Sequence, residues 1–249
     1  MTSKTILITG ASGGIGGALA RTYARPGVML LLWGRDAARL EETAAACRDR
    51  GADCVVNSFD LRDIAAQLAH LAAADAATPI DLAIFNAGLG GTPPPDAPAE
   101  SPDDSRAVAE VNFVAPTVGA NAIAAAMAAR GHGQIVLIGS IAESYPLPQA
   151  PTYVATKAGL RLFAEALGMR LARHGVDVTL VSPGFIDTAM SRKVTEPKPF
   201  LISADKAAAI IARGIAARDR TVVVPWQFKV IRALSGLLPR PLLRRVLSI

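Results

Sequence analysis

Thr5-Ile6-Leu7-Ile8-Thr9-Gly10-Ala11-Ser12-Gly13-Gly14-Ile15-Gly16-Gly17-Ala18-Leu19-Ala20 opens on an aliphatic and β-branched run, breaks into a turn with five glycines in eight residues, and continues in helix formers. The run reads as a strand, the glycines as a sharp turn and the segment after them as a helix. Glycine lets the backbone turn tightly. It also lets an anion approach the amides at the following helix N-terminus, where donors and dipole both favour negative charge. The spacing is T-G-x-x-x-G-x-G. The G-x-G-x-x-G dinucleotide pattern does not fit, because Leu19 stands where its third glycine would follow Gly14 and Gly16. Taken alone, such a turn is equally a plain strand–helix connection.

Working outward, the same alternation repeats along the chain. Strands are predicted at Thr5–Thr9, Val28–Trp33, Asp53–Asn57, Leu82–Phe85, Gln134–Ile138, Asp177–Val181 and Thr221–Val224, with helices near 14–25, 37–50, 61–74, 103–130, 152–173 and 203–217. Breakers fall between them, at Pro26-Gly27, Gly51, Pro79, Gly131, Gly133 and Gly175. Strands alternating with helices imply right-handed crossovers and one parallel, doubly wound α/β sheet of about seven strands, helices on both faces. The 249 residues fit one such domain, and a hydrophobic share of 51% is enough to bury strands on both sides. No internal repeat or interdomain linker is visible. Gly90–Asp104, rich in Pro, Gly and acidic residues, reads as a surface loop.

The net charge of +5 is localised. Residues 226–249 carry Lys229, Arg232, Arg240, Arg244 and Arg245 and no acid, which leaves the first 225 residues with 21 basic and 21 acidic groups. A neutral body is not that of a nucleic-acid-binding protein. No uninterrupted apolar run is long enough to span a bilayer. Met1-Thr2-Ser3-Lys4 lacks the features of an export signal, and Cys47 and Cys54 are the only cysteines. A reduced, cytoplasmic setting is therefore expected.

Pro151-Thr152-Tyr153-Val154-Ala155-Thr156-Lys157 opens a predicted helix and places a phenol and an ammonium one turn apart on one face. A free phenol titrates near ~10, and bringing it to about 7 takes roughly 4 kcal/mol of preference for the phenolate. A cation about 4 Å away supplies on the order of 4 kcal/mol at an effective dielectric near 20. Lys157, helped by the positive ring of a bound nicotinamide, is thus expected to lower the pKa of Tyr153. Y-x-x-x-K alone is a common coincidence, but Ser140 ends the fifth predicted strand thirteen residues earlier, at the edge where such sheets bind ligands.

With these residues in place the chain resembles the short-chain dehydrogenase/reductase family, in its compact branch, and a Rossmann-type single domain is implied. Thr9-Gly10-x-x-x-Gly14-x-Gly16 resembles its cofactor turn, Asn86-Ala87-Gly88 its N-A-G motif, and Ser182-Pro183-Gly184 through Thr188 its segment beside the nicotinamide. Asn112, Ser140, Tyr153 and Lys157 match its catalytic tetrad. The resemblance implies that Tyr153 exchanges a proton with the substrate oxygen, Ser140 positions that oxygen, Lys157 also holds the nicotinamide ribose, and Asn112 fixes the local helix and a water on the proton path. It implies cofactor contacts at Gly10, Ser12, Gly13, Gly14, Ile15, Gly16, Arg35, Asp60, Leu61, Asn86, Ala87, Gly88, Tyr153, Lys157, Pro183, Gly184, Ile186 and Thr188. Asp60 is equally readable as a helix N-cap. No metal is expected, since His70, His132 and His174 are scattered.

The second strand runs into Leu32-Trp33-Gly34-Arg35-Asp36. Where NAD users carry an acid this chain has Gly34, and Arg35 can pair with a 2′-phosphate, so NADP is expected over NAD. One departure is that the glycine turn has Gly13 where many NADP-preferring relatives carry a second basic residue. Asp36 reads as the cap of the next helix. The expected activity is hydride transfer between NADPH and a small carbonyl or alcohol substrate, with a lipophilic one in view, in a homo-oligomer (dimer or tetramer). The competing readings are a catalytically silent nucleotide-binding regulator or scaffold, which an intact tetrad disfavours, and a sugar epimerase, for which the chain is short. Residues 227–249 form a basic amphipathic tail beyond the 1–226 domain. It either packs on protein or makes peripheral contact with an anionic membrane.

Overall fold

A computed structural model describes residues 4–91, 97–193 and 197–230. Seven strands, β1 (Lys4–Thr9), β2 (Val28–Gly34), β3 (Asp53–Ser58), β4 (Leu82–Phe85), β5 (Gly133–Ile138), β6 (Val176–Pro183) and β9 (Thr221–Val224), form one sheet in the order β3-β2-β1-β4-β5-β6-β9. Every pairing is parallel. Two further strands of two residues, β7 (Ile186–Asp187) and β8 (Ile202–Ser203), pair outside this sheet. Helices α1 (Gly14–Tyr23), α2 (Ala37–Arg48), α3 (Ile64–Ala77), α4 (Pro102–Ala109), α5 (Ala115–Arg130), α6 (Pro151–Leu171) and α7 (Ala204–Ala216) cover its two faces.

Strand periodicity divides the core. Ile6, Ile8, Leu30 and Leu32 point to one face and pack with Leu19, Leu40 and Ile211 of α1, α2 and α7. Leu7, Leu31 and Trp33, from the alternate positions, point to the other face and pack with Leu71, Ile123 and Leu160 of α3, α5 and α6. Because both faces are buried, the strands read as unbroken apolar runs. The strand order reverses between β1 and β4, which opens a crevice at the carboxyl edge between them.

Two helices depart from the pattern. The third begins at Ile64 rather than 61, because Asp63 is its N-cap and accepts the Ala66 amide at 2.9 Å. The predicted helix 103–130 is interrupted by a π-turn, Glu110–Val114, where the Ala115 amide bonds back five residues to Glu110. Pro116 follows, and it has no N–H to close the ordinary bond onto the carbonyl of Asn112. By length and composition 102–130 is the one described helix apolar enough to cross a membrane, but half of its most apolar window is buried in the protein. Residues 227–230 are helical and Phe228 is buried in the body. The rest of the predicted tail, 231–249, lies outside the described residues.

Candidate active site

The glycine turn is fastened to the end of β4. The Asn86 side chain donates to the carbonyls of Thr9 and Gly10, at 3.0 and 3.2 Å, while the Asn86 and Ala87 amides donate to the Thr9 hydroxyl, at 3.0 and 3.1 Å. The approach leaves no room for a side chain. A Cβ on Gly16 would lie 2.3 Å from the Gly10 carbonyl oxygen and 2.5 Å from Asn86 Nδ2. Sequence reasoning placed Asn86 against the cofactor. The structure has Asn86 bordering the same cleft, and its amide also ties the turn, so the residue helps build the cradle that Gly10, Ser12, Gly13, Gly14 and Ile15 line.

A cleft of about 950 Å³ runs from this turn along the carboxyl edge of the sheet. It is bordered at one end by Arg35, Asp60 and Leu61, and at the other by Ser140, Tyr153 and Lys157. Gly88, Pro183, Gly184, Ile186 and Thr188 line it between. Its floor is a tight anion cradle at a helix N-terminus, and a dinucleotide fits that shape and chemistry. Asp36 caps α2 as expected, accepting the Arg39 amide at 3.1 Å. Asp60 is not a helix cap. Its carboxylate takes two Arg62 side-chain donors, at 2.9 and 2.7 Å, which hold it below the usual carboxylate range.

Of the four expected catalytic residues, Ser140, Tyr153 and Lys157 border the cleft, and Asn112 is buried outside its lining. Ser140 follows β5 and caps a short 3₁₀ turn, Ile141–Ser144. Tyr153 and Lys157 lie in the first turns of α6. This helix has no side-chain cap of its own, since Ala150 occupies that place. Glu100, from the segment before α4, supplies one instead by accepting the Thr152 amide at 3.0 Å together with its hydroxyl. Asn112 sits in the π-turn, wholly buried, and grips Leu89 at both ends. Oδ1 accepts the Leu89 amide at 2.7 Å and Nδ2 donates to its carbonyl at 2.8 Å.

Burial governs the electrostatics of the protein's own groups here. Burial pushes the Tyr153 phenol up rather than down, a hydrogen bond from Ser140 opposes that rise, and the Glu143 carboxylate adds to it. Lys157 is buried and drops from 10.5 to about 8, with Glu143 working against the fall. Its Nζ lies 5.7 Å from the Tyr153 ring centre and donates to the Ile138 carbonyl at 2.9 Å. Desolvation is the largest of these influences on the phenol. Sequence reasoning missed Glu143, which accepts the Ser182 hydroxyl at 2.8 Å and so joins the Ser140 loop to the end of β6. An acid at that position carries no sequence signal by itself.

Beyond Tyr153 the cleft is largely apolar, lined by Leu89, Leu147, Phe185, Met190, Phe200 and Phe228. Phe228 packs against Phe185 and Phe200, ring centres 6.2 and 5.8 Å away. Tyr145 faces the same space, its phenol pushed up to about 12 by burial. Among the described residues no group of three His, Cys, Asp or Glu side chains is placed to hold a metal.

Known proteins bear the same architecture. An oxidoreductase of Myxococcus xanthus is 32% identical over 243 residues, covering 97% of this chain and 95% of its own. The solved short-chain dehydrogenase from Sphingobium yanoikuyae, in complex with NADPH, superposes with a TM-score of 0.83 at 28% identity, over 94% of each chain. The bulky-bulky ketone specific alcohol dehydrogenase from Comamonas testosteroni gives 0.80 at 28% identity, over 96% of each. The family model for short chain dehydrogenases matches residues 4–199. With the cradle, the cleft and the tetrad in one arrangement, the chain belongs to the short-chain dehydrogenase family.

Proposed function

We propose that the chain is an NADPH-preferring carbonyl reductase, running as an alcohol dehydrogenase in reverse, whose substrates carry an apolar body. One observation carries the reading: Ser140, Tyr153 and Lys157 meet at one point of a cleft whose far end presents Arg35 and no acid at the end of β2. When bound, the nicotinamide gives or takes the hydride. Tyr153 Oη would give its proton to the substrate oxygen during reduction and recover it in the reverse direction. Ser140 would donate a hydrogen bond to the same oxygen. The Lys157 ammonium would stabilise the phenolate left behind. Asn112, through Leu89, would hold the main chain beside them, and the aromatic group around Phe228 would exclude water from the substrate end. The Comamonas relative's bulky ketones fit the same apolar space. The reading includes a homo-oligomer, which light scattering tests.

Tyr153→Phe removes one oxygen and the exchangeable proton. Ketone reduction with NADPH should fall by about 10²–10⁴, while NADPH binding followed by fluorescence stays. Retained turnover would refute the role of the phenol, and loss of binding would show that the change had damaged the fold.

A further inference from the structure

Arg35 alone is a thin basis for selecting a 2′-phosphate, because the glycine turn offers no basic residue of its own. The structure supplies one from elsewhere. A Cβ placed on Gly13 would lie 2.6 Å from Arg39 Nη2, so the guanidinium occupies the space that a turn side chain would enter. Arg39 arrives there because Asp36 caps α2 and fixes the start of that helix, which sets Arg39 in its first turn. Gly13, Arg35 and Arg39 all line the same end of the cleft.

Among the described residues neither guanidinium has an acidic partner within ion-pair distance. The two neighbouring acids are otherwise engaged: Asp36 caps a backbone amide, and Asp60 is held by Arg62. Two exposed guanidiniums at one end of a cleft, with their own acids occupied, are suited to a dianion that takes charge-assisted bonds from both.

We infer that Arg39 is a specificity-determining residue, which takes the place of the basic residue missing at position 13 and grips the 2′-phosphate together with Arg35. This rests on the NADPH reading above and assigns the second half of its phosphate site. Gly13 then has a reason beyond its backbone. It sits at a φ of 152°, and any side chain there would displace the guanidinium.

The test is calorimetric binding of four ligands, NADPH, NADH, adenosine 2′,5′-bisphosphate and adenosine 5′-diphosphate, to the wild type, Arg39→Ala, Arg39→Lys and Arg35→Ala. Arg39→Ala should weaken the two ligands with a 2′-phosphate about tenfold and change the other two by less than about twofold. Arg39→Lys should recover part of the loss, since it keeps the charge without the fork. Equal weakening of NADH and NADPH would place the guanidinium on the diphosphate and overturn the assignment. Unchanged binding of all four ligands by Arg39→Ala would overturn it too. If Arg35→Ala alone loses the 2′-phosphate, the NADPH reading stands and this inference falls. If the wild type binds both nicotinamides equally and neither substitution discriminates, the NADPH reading itself falls.

Discussion

Replacing Asn112 by Ala removes an amide that holds Leu89 by both its N–H and its carbonyl, at 2.7 and 2.8 Å. Asn112 is wholly buried and Leu89, at the cleft wall, is partly so, which limits how well water replaces the lost amide. Each stranded buried polar group costs about 1–3 kcal/mol, which gives a loss of about 2–5 kcal/mol once some relaxation is allowed. In a chain of this length that lowers Tm by about 5–15 °C. The assay is urea unfolding followed by the fluorescence of buried Trp33, beside ketone reduction at saturating substrate. Activity should fall with stability. Gly88 precedes Leu89, and a Cβ there would lie 3.4 Å from Asn112 Oδ1 and 3.8 Å from Lys157 Nζ, so a slackened Leu89 disturbs the ammonium directly. Stability within about 0.5 kcal/mol of the wild type, with activity lost, would refute the clamp and place the amide on the proton path alone.

Phe228→Ala opens the substrate wall and removes two edge-to-face ring contacts. It should cost about 2–4 kcal/mol of stability and raise KM for an apolar ketone while leaving the NADPH dissociation constant unchanged, which steady-state kinetics and titration check. For pH, Lys157 titrates at about 8 when folded against 10.5 unfolded, so between these values the unfolded chain binds more protons and stability rises with pH. Cys54, raised from 9.0 to about 11 by burial, acts in the opposite sense over part of that window. The difference between wild type and Lys157→Met therefore isolates the lysine. The wild type should gain on the variant from pH 8 to 10 in urea unfolding, and parallel curves would contradict the burial argument.

The fold was legible because both faces of the sheet are covered. Ile6 and Leu7 serve opposite cores, and their run needs no further signal than its apolarity and its breakers. Asn112, Ser140, Tyr153 and Lys157 were legible by their order along the chain. What sequence missed depends on partners distant in sequence. Glu100 meets Thr152 across 52 positions, and Asn86 meets Thr9 across 77. Arg39 reads as an ordinary helix residue until the turn is folded beneath it. The π-turn at 110–114 leaves the apolar periodicity of 103–130 almost unchanged, so it could not be seen. Burial raises the Tyr153 phenol for a related reason: charge spacing is written in the sequence, whereas the depth of burial is not.

The matched family segment ends at residue 199, and two of the three rings in the aromatic group, Phe200 and Phe228, lie beyond it while Phe185 lies within it. On the proposed function, the residues for the hydride step all precede residue 200, whereas the apolar end of the cleft draws on both sides of that point. Phe200 and Phe228 can therefore be altered to redirect substrate choice without touching the segment that carries Ser140, Tyr153 and Lys157.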